Sequence, residues 1–272
     1  MRFSRRRVLP ALAASVLEGS VLAGAASAQP ASSNLDGNDD DPPMPLKLVV
    51  LDIGGTLIAD HGEVPDAMLG AFARHGITVT AQEFSEWRGA SKRGMVRHFV
   101  ELRAASGGAA LIEAIYADFT TTAGKAYEKV QPIPGAENAL KQLQAMKLLL
   151  ATTTGFDRPL CTAILARLGW QHYFAGSITS DDVADGRPAP YMLFRAMEAA
   201  HVNETAQVIA VGDTPLDLQA ANNAGLAAAI GVWSGAATEE RLRKERNSGV
   251  LPSVAELPDL IRRGLPLSHC RT

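Results

Sequence analysis

Leu46-Lys47-Leu48-Val49-Val50-Leu51-Asp52-Ile53-Gly54-Gly55-Thr56-Leu57 is a short apolar run that ends on a carboxylate and a pair of glycines. An apolar run without strict alternation predicts a strand covered on both faces, here Leu46–Leu51. Three similar runs follow at Leu148–Thr152, Val208–Val211 and Ala227–Val232, each trailed by turn residues and separated from the next by amphipathic helical stretches. That alternation predicts an α/β fold, a doubly wound parallel sheet with helices on both faces. Ligands of such sheets bind just past the carboxyl ends of strands, where loops and helix N-termini converge on a crevice. Position alone therefore selects Asp52, Thr153 and Asp213.

Between Val64 and Gln131 the pattern changes. No strand signal appears, and helical periodicity covers Pro65–Arg74, Thr80–Trp87 and Leu111–Lys129. Thr80 and Glu83 have the spacing of a capping box, which marks a helix start. Gln131-Pro132-Ile133-Pro134-Gly135 then punctuates the return to strand-helix alternation. The chain thus reads as a core of residues 46–63 and 132–272 into which a helical cap, residues 64–131, is inserted after the first strand.

Upstream, residues 1–28 combine a basic start, an apolar stretch from Val8 and the small residues Ala26-Ser27-Ala28, as in a cleaved export signal. Ser4-Arg5-Arg6-Arg7-Val8-Leu9 resembles the twin-arginine signature, which implies a periplasmic or exported protein. Pro10 and Glu18 interrupt the apolar stretch and argue against stable membrane insertion. Pro, Asp, Asn and Ser dominate residues 29–45, which read as a disordered linker. Initiation at Met44 is the other reading, and it places the protein in the cytoplasm.

Across its 272 residues the chain is 47% hydrophobic and 20% charged, enough apolar material for a sizeable core. Its formal net charge is −3, with no long basic run beyond the first residues, which argues against nucleic acid as a partner. Cys161 and Cys270 form neither a disulfide framework nor a zinc pattern, and the six histidines are scattered without metal-ligand spacing.

Four ordered segments resemble the motifs of the haloacid dehalogenase superfamily of phosphoryl-transfer enzymes. They are Leu51-Asp52-Ile53-Gly54-Gly55-Thr56-Leu57, Thr152-Thr153-Thr154-Gly155-Phe156, Asp185-Gly186-Arg187-Pro188-Ala189-Pro190 and Val211-Gly212-Asp213-Thr214-Pro215-Leu216-Asp217. The resemblance implies that Asp52 attacks phosphorus to form an aspartyl phosphate. It implies Mg2+ as cofactor, held by Asp52, the backbone carbonyl of Gly54 and Asp213, with Asp217 in or near its shell. Thr153 and Arg187 then bind and neutralise the phosphoryl group.

One departure narrows the reading. Most phosphatases of this superfamily carry a second Asp two residues after the nucleophile, as acid for the leaving alcohol, and here that position is Gly54. The phosphonatase branch has a small residue there and uses a cap lysine to form a Schiff base with the aldehyde of phosphonoacetaldehyde. Arg88-Gly89-Ala90-Ser91-Lys92, followed by Val96-Arg97, is similar to that cap motif and puts Lys92 on the imine-forming position. The segment from Ser180 to Pro188 also resembles this branch. An ordinary lysine, with a pKa of about 10.4, is protonated near neutrality, so burial with help from Arg88 or Arg97 is expected to lower it. Two positions depart from the branch: Met95 stands where phosphonatases carry His, and Phe156 where they carry Tyr. The expected substrate is a small carbonyl phosphonate. The alternatives are a phosphate monoesterase in which water or a cap residue replaces the missing acid, and a weakly active phospho-ligand binding protein. Phosphonatases are dimers, which implies a homodimer.

Overall fold

The structure, a computed structural model, describes residues 45–104 and 108–265. The expected leader and the linker up to residue 44 lie outside the described residues. The chain enters the fold as β1 (Leu48–Asp52), every residue of which is buried. Four helices follow: α1 (Glu63–Arg74), α2 (Ala81–Glu86), α3 (Lys92–Arg103) and α4 (Gly108–Ala126). After α5 (Ala136–Ala145) the chain alternates β2 (Leu149–Thr154), α6 (Arg158–Leu168), β3 (Gly176–Thr179), α7 (Tyr191–Ala199) and β4 (Val208–Gly212). It ends with α8 (Pro215–Asn223), β5 (Ala228–Val232), α9 (Glu239–Arg243), β6 (Gly249–Leu251) and α10 (Leu257–Arg262).

The six strands form one parallel sheet in the order β3-β2-β1-β4-β5-β6. Strand order reverses direction at β1, so the crevice at a topological switch point opens at the carboxyl end of β1, directly at Asp52. Asp52 pairs in register with Thr153, and Leu51 lies between Thr152 and Val211. Alternate residues of β1 feed opposite faces of the sheet. Val49 and Leu51 join one apolar core with Ile209 and Ile230, whereas Leu48 and Val50 join the other with Val208 and Leu193.

The first of these cores runs without a break into the helical segment, where Phe72, Met95, Phe99, Ile115 and Phe119 continue it. Phe72 and Phe99 meet edge to face at 5.6 Å. Arg74 Nε and Nη2 donate to the two oxygens of Asp118 at 2.7 and 2.9 Å, tying α1 to α4 at the surface. We refer to this segment as the cap.

Two strands and one helix extend the sequence reading. β3 and β6 are short and lie at the two edges of the sheet, where one open flank removes the need for a continuous apolar run. α3 starts because Ser91 Oγ accepts from the backbone N–H of Gly94 at 3.2 Å, a cap that the helical periodicity had not brought out. Among the described residues no helix is long and apolar enough to cross a membrane.

The predicted capping box is formed. Thr80 Oγ1 accepts from the N–H of Glu83 at 3.2 Å, and Glu83 Oε2 accepts from the N–H of Thr80 at 2.9 Å. Thr80→Ala is expected to destabilise the protein by about 1 kcal/mol, read as a lower urea midpoint, with Thr80→Ser recovering most of the loss. A Thr80→Ala midpoint equal to that of the parent would mean that α2 does not depend on its cap.

Candidate active site

Asp52 ends β1 because the chain turns sharply behind it. Leu57 and Ile58 both return their N–H groups to the carbonyl of Ile53, at 2.9 and 3.0 Å, and Gly55 donates to Ile58 at 2.7 Å. Gly55 has φ +76°, and a Cβ there would sit 2.2 Å from Asp213 Oδ2. Only glycine therefore lets this turn approach the second carboxylate. Asp213 follows β4 and is held from the other side by the N–H of Ala236, 2.6 Å from its Oδ2. Ser234 Oγ donates to the carbonyl of Gly55 at 2.8 Å, so one loop clasps both carboxylate-bearing turns.

Arg187 joins the set. Its Nη2 lies 2.8 Å from Asp52 Oδ1 and donates to the hydroxyl and the carbonyl of Thr153, both at 2.8 Å, while its Nη1 lies 2.8 Å from Asp217 Oδ1. Asp52, Arg187, Asp213 and Asp217 are all buried. Burial raises Asp52 to about 7, with Arg187 opposing the shift and the Asp217 charge adding to it. Asp213 is likewise held well above the usual carboxylate range, first by burial and then by the charges of Asp52 and Asp217.

Two hard, buried oxygen donors that repel each other at the mouth of a cavity are what a divalent cation relieves. Asp52, Asp213 and the carbonyl of Gly54, which lines the same cavity, fit Mg2+. Among the described residues no three His, Cys, Asp or Glu side chains converge as a ligand set, so two carboxylates and backbone oxygen are what the chain offers. Asp217 is arranged differently from Asp52 and Asp213. Its Oδ2 accepts from the hydroxyl and N–H of Thr214, at 2.6 and 3.1 Å, while its Oδ1 meets Arg187. It caps α8 and acts on the site through the guanidinium.

β2 runs further than its apolar pattern suggests, to Thr154, because pairing with Thr179 of β3 extends it. Thr154 lines the cavity, and the hydroxyl of Thr153, the residue selected from sequence, accepts from Arg187, which lines it too. Phe156 takes the flank of position 54, where a Cβ would lie 3.4 Å from its Cζ. The missing acid at Gly54 and the aromatic ring at 156 are thus two sides of one surface.

Lys92 is the first residue of α3, and only 6% of it is exposed. Its Nζ donates to the carbonyl of Ala90 at 3.1 Å, lies 5.8 Å from the centre of the Phe156 ring, and lines the same cavity as Asp52. Burial lowers its pKa to about 8, against the pull of the Asp52 charge. The cation that assists is Arg187. Arg88 is occupied by Asp60 at 2.7 Å, and Arg97 is exposed, so neither plays the part the sequence suggested. The cap loop sits close upon the core. A Cβ on Gly155 would come 2.5 Å from the Ala90 carbonyl and 3.2 Å from Lys92 Nζ, and one on Gly89 would come 2.4 Å from Thr214 Oγ1. Met95, at the expected histidine position, is fully buried in the shared apolar core.

Three residues in the cavity wall were given no role from the sequence: Thr154, Asp60, which pairs with Arg88, and Tyr127. Asp60 lies between β1 and α1, outside any periodic stretch, and Tyr127 lies in the last turn of a stretch read only for its helical periodicity.

A buried lysine has a stability signature. Its folded pKa of about 8 lies below the ordinary 10.5, so the unfolded chain binds more protons, and the folded state is penalised below pH 8 and recovers as pH rises to 10.5. Lys92→Met is expected to stabilise the protein by on the order of 2 to 3 kcal/mol at pH 7, fading above pH 10. Urea midpoints of the two proteins at both pH values check this, and a variant no more stable at pH 7 would contradict it.

The family model for haloacid dehalogenase-like hydrolases matches residues 46–225. A phosphonoacetaldehyde hydrolase of Nitratidesulfovibrio vulgaris is 28% identical over 200 residues, spanning 67% of this chain and 70% of that protein. Another, of Lysinibacillus sphaericus, is 31% identical over 208 residues, spanning 71% and 76%. A solved phosphonoacetaldehyde hydrolase-like protein from Oleispira antarctica shares the fold with a TM-score of 0.70 at 22% identity, covering 82% of this chain and 96% of that one. A putative β-phosphoglucomutase from Bacteroides vulgatus does so with a TM-score of 0.71 at 20% identity, covering 83% and 91%. The strand-end carboxylates of this chain stand within the matched region, and the chain belongs to the haloacid dehalogenase-like hydrolases, in their phosphonatase-like branch.

Proposed function

We propose that this hydrolase cleaves the carbon–phosphorus bond of a small carbonyl phosphonate such as phosphonoacetaldehyde. The observation that carries this reading is the burial of Lys92 Nζ in the same cavity as Asp52, opposite a position 54 that has no acid.

In the proposed sequence, neutral Lys92 Nζ adds to the substrate carbonyl carbon, and the carbinolamine takes up a proton from solvent and loses water, giving a protonated imine. An oxygen of Asp52 attacks phosphorus, and the electron pair of the broken carbon–phosphorus bond moves into the imine as an enamine. No alkoxide forms, so an acid at Gly54 is not required. The enamine is protonated on carbon and hydrolysed to release the aldehyde and free Lys92, and water cleaves the aspartyl phosphate to return Asp52. Arg187, already on Asp52 Oδ1, neutralises charge gathering on the phosphoryl oxygens. Mg2+, which Asp52, Gly54 and Asp213 would hold, supplies charge neutralisation that lets a carboxylate approach a phosphonate dianion. The names of the sequence relatives support the same substrate class.

The cavity measures about 40 Å3, room for a few water molecules at most. Substrate entry on this reading requires the cap loop to lift from Gly155, with closure returning Lys92 to the site. A phosphate monoesterase is the second reading, favoured by the Asp60 carboxyl, which lines the cavity from the cap linker and would replace the acid that position 54 lacks.

Phosphate release from phosphonoacetaldehyde is expected to exceed that from a panel of phosphate esters. Borohydride with substrate should leave a reduced adduct on Lys92, and Lys92→Ala should lose roughly 10³-fold in turnover, within the range for a positioned catalytic group. No adduct, together with normal turnover in Lys92→Ala, would rule the reading out. Because the amine must be neutral to attack, kcat/KM is expected to rise with pH through about 8, the value to which burial brings Lys92. A profile flat between pH 7 and pH 9 would count against an attacking lysine.

A further inference from the structure

Tyr127 begins the helical turn Tyr127–Lys129 that leads from the cap back to the core. Its ring is buried, 4% exposed, and packs edge-on against Phe156 at 5.4 Å. The ring is therefore well accommodated, but its hydroxyl is buried with no hydrogen-bond partner. Leaving a buried hydroxyl unpaired costs roughly 1–3 kcal/mol, and native structures seldom retain one without a use for it. Among the described residues two other buried hydroxyls share this condition, those of Thr56 and Thr152, and neither residue lines the cavity that contains Asp52 and Lys92, whereas Tyr127 does.

The surroundings show which side the hydroxyl serves. The charges acting on it, after burial itself, are those of Asp60, Glu63 and Asp52, with Arg88 opposing, and together they hold the phenol protonated and a donor. The phosphoryl end of the cavity is already provided with Arg187 and Asp213 at the strand ends. Tyr127 comes from the end of the cap and packs on Phe156, whose ring centre lies 5.8 Å from Lys92 Nζ, and all three line the cavity. Phe156 has no hydrogen to donate.

We propose that Tyr127 is a substrate-binding residue whose hydroxyl donates a hydrogen bond to an oxygen on the organic fragment of the substrate, the carbonyl oxygen beside the carbon that Lys92 attacks. The site would thereby select ligands that carry an oxygen acceptor next to the phosphorus-bearing carbon over phosphonates with a purely alkyl substituent. This deepens the carbonyl-phosphonate reading and rests on it for the identity of the acceptor.

The test compares the parent with Tyr127→Phe on phosphonoacetaldehyde and on glycolaldehyde phosphate, the ester with the same carbonyl, and uses inorganic phosphate as product inhibitor. Tyr127→Phe is expected to raise KM for the carbonyl compounds about 5- to 10-fold, the scale of one lost neutral hydrogen bond. The inhibition constant of inorganic phosphate should not change, because that anion occupies only the strand-end side. The melting temperature of the free variant should equal or exceed that of the parent, since no protein partner is lost. An unchanged KM for both carbonyl compounds, an equal loss for inorganic phosphate, or a lower melting temperature of free Tyr127→Phe would each overturn the inference. Parent enzyme that turns over the ester but not the phosphonate would defeat the carbon–phosphorus reading alone, and a KM rise on the ester would still support Tyr127.

Discussion

A single buried guanidinium organises this site. Arg187 reaches Asp52, Thr153 and Asp217 at once, from a loop between β3 and α7, and all its charged partners are themselves buried. Separating such a set leaves uncompensated charge in a low-dielectric interior, at a cost of about 3–5 kcal/mol for each broken partnership. The carboxyl ends of β1 and β2 and the start of α8 are thereby fixed relative to one another. Even so, burial holds both Asp52 and Asp213 above the usual carboxylate range, with the Asp217 charge adding to it at both and the Asp52 charge at Asp213. The site is built to receive compensating positive charge.

The second constraint is the fit of cap to core. One apolar core continues from β1 into α1, α3 and α4, so the cap is bound to the sheet by burial while its loop from Arg88 to Ser91 covers the polar ends of the strands. Gly155 and Gly89 are small because backbone and side chain from the other side come within a Cβ's reach. The closeness that demands these glycines also strips water from Lys92, and desolvation is the main cause of its lowered pKa. Packing and the lowered pKa of this lysine thus have a common origin.

Much of the site is unusual in what it omits. Gly54 offers no acid, Met95 is absorbed into the core, and Phe156 presents a ring with no donor. The polar groups that remain on the cap side, Lys92, the Asp60–Arg88 pair and Tyr127, come from the cap and its linkers. On the proposed reading, their arrangement gives the organic fragment to the cap side and phosphorus to the strand ends.

Lys92 and Arg187 entered only through the motif resemblance, while the parallel sheet, the inserted helices and the residues Asp52 and Asp213 were legible in the chain itself, because buried strands need apolar runs and strand ends carry the chemistry in this architecture. Edge strands β3 and β6 were not, since an open flank relaxes the apolar requirement that makes a strand visible. That Thr154 lines the cavity while Thr153 accepts from Arg187 depends on groups far away in sequence. That Asp217 serves Arg187, and that Arg88 is occupied by Asp60, depends on side chains far apart in sequence. The pattern around Tyr127 signalled only a helix: its hydroxyl becomes informative only when folding buries it without a partner in a residue that lines the cavity.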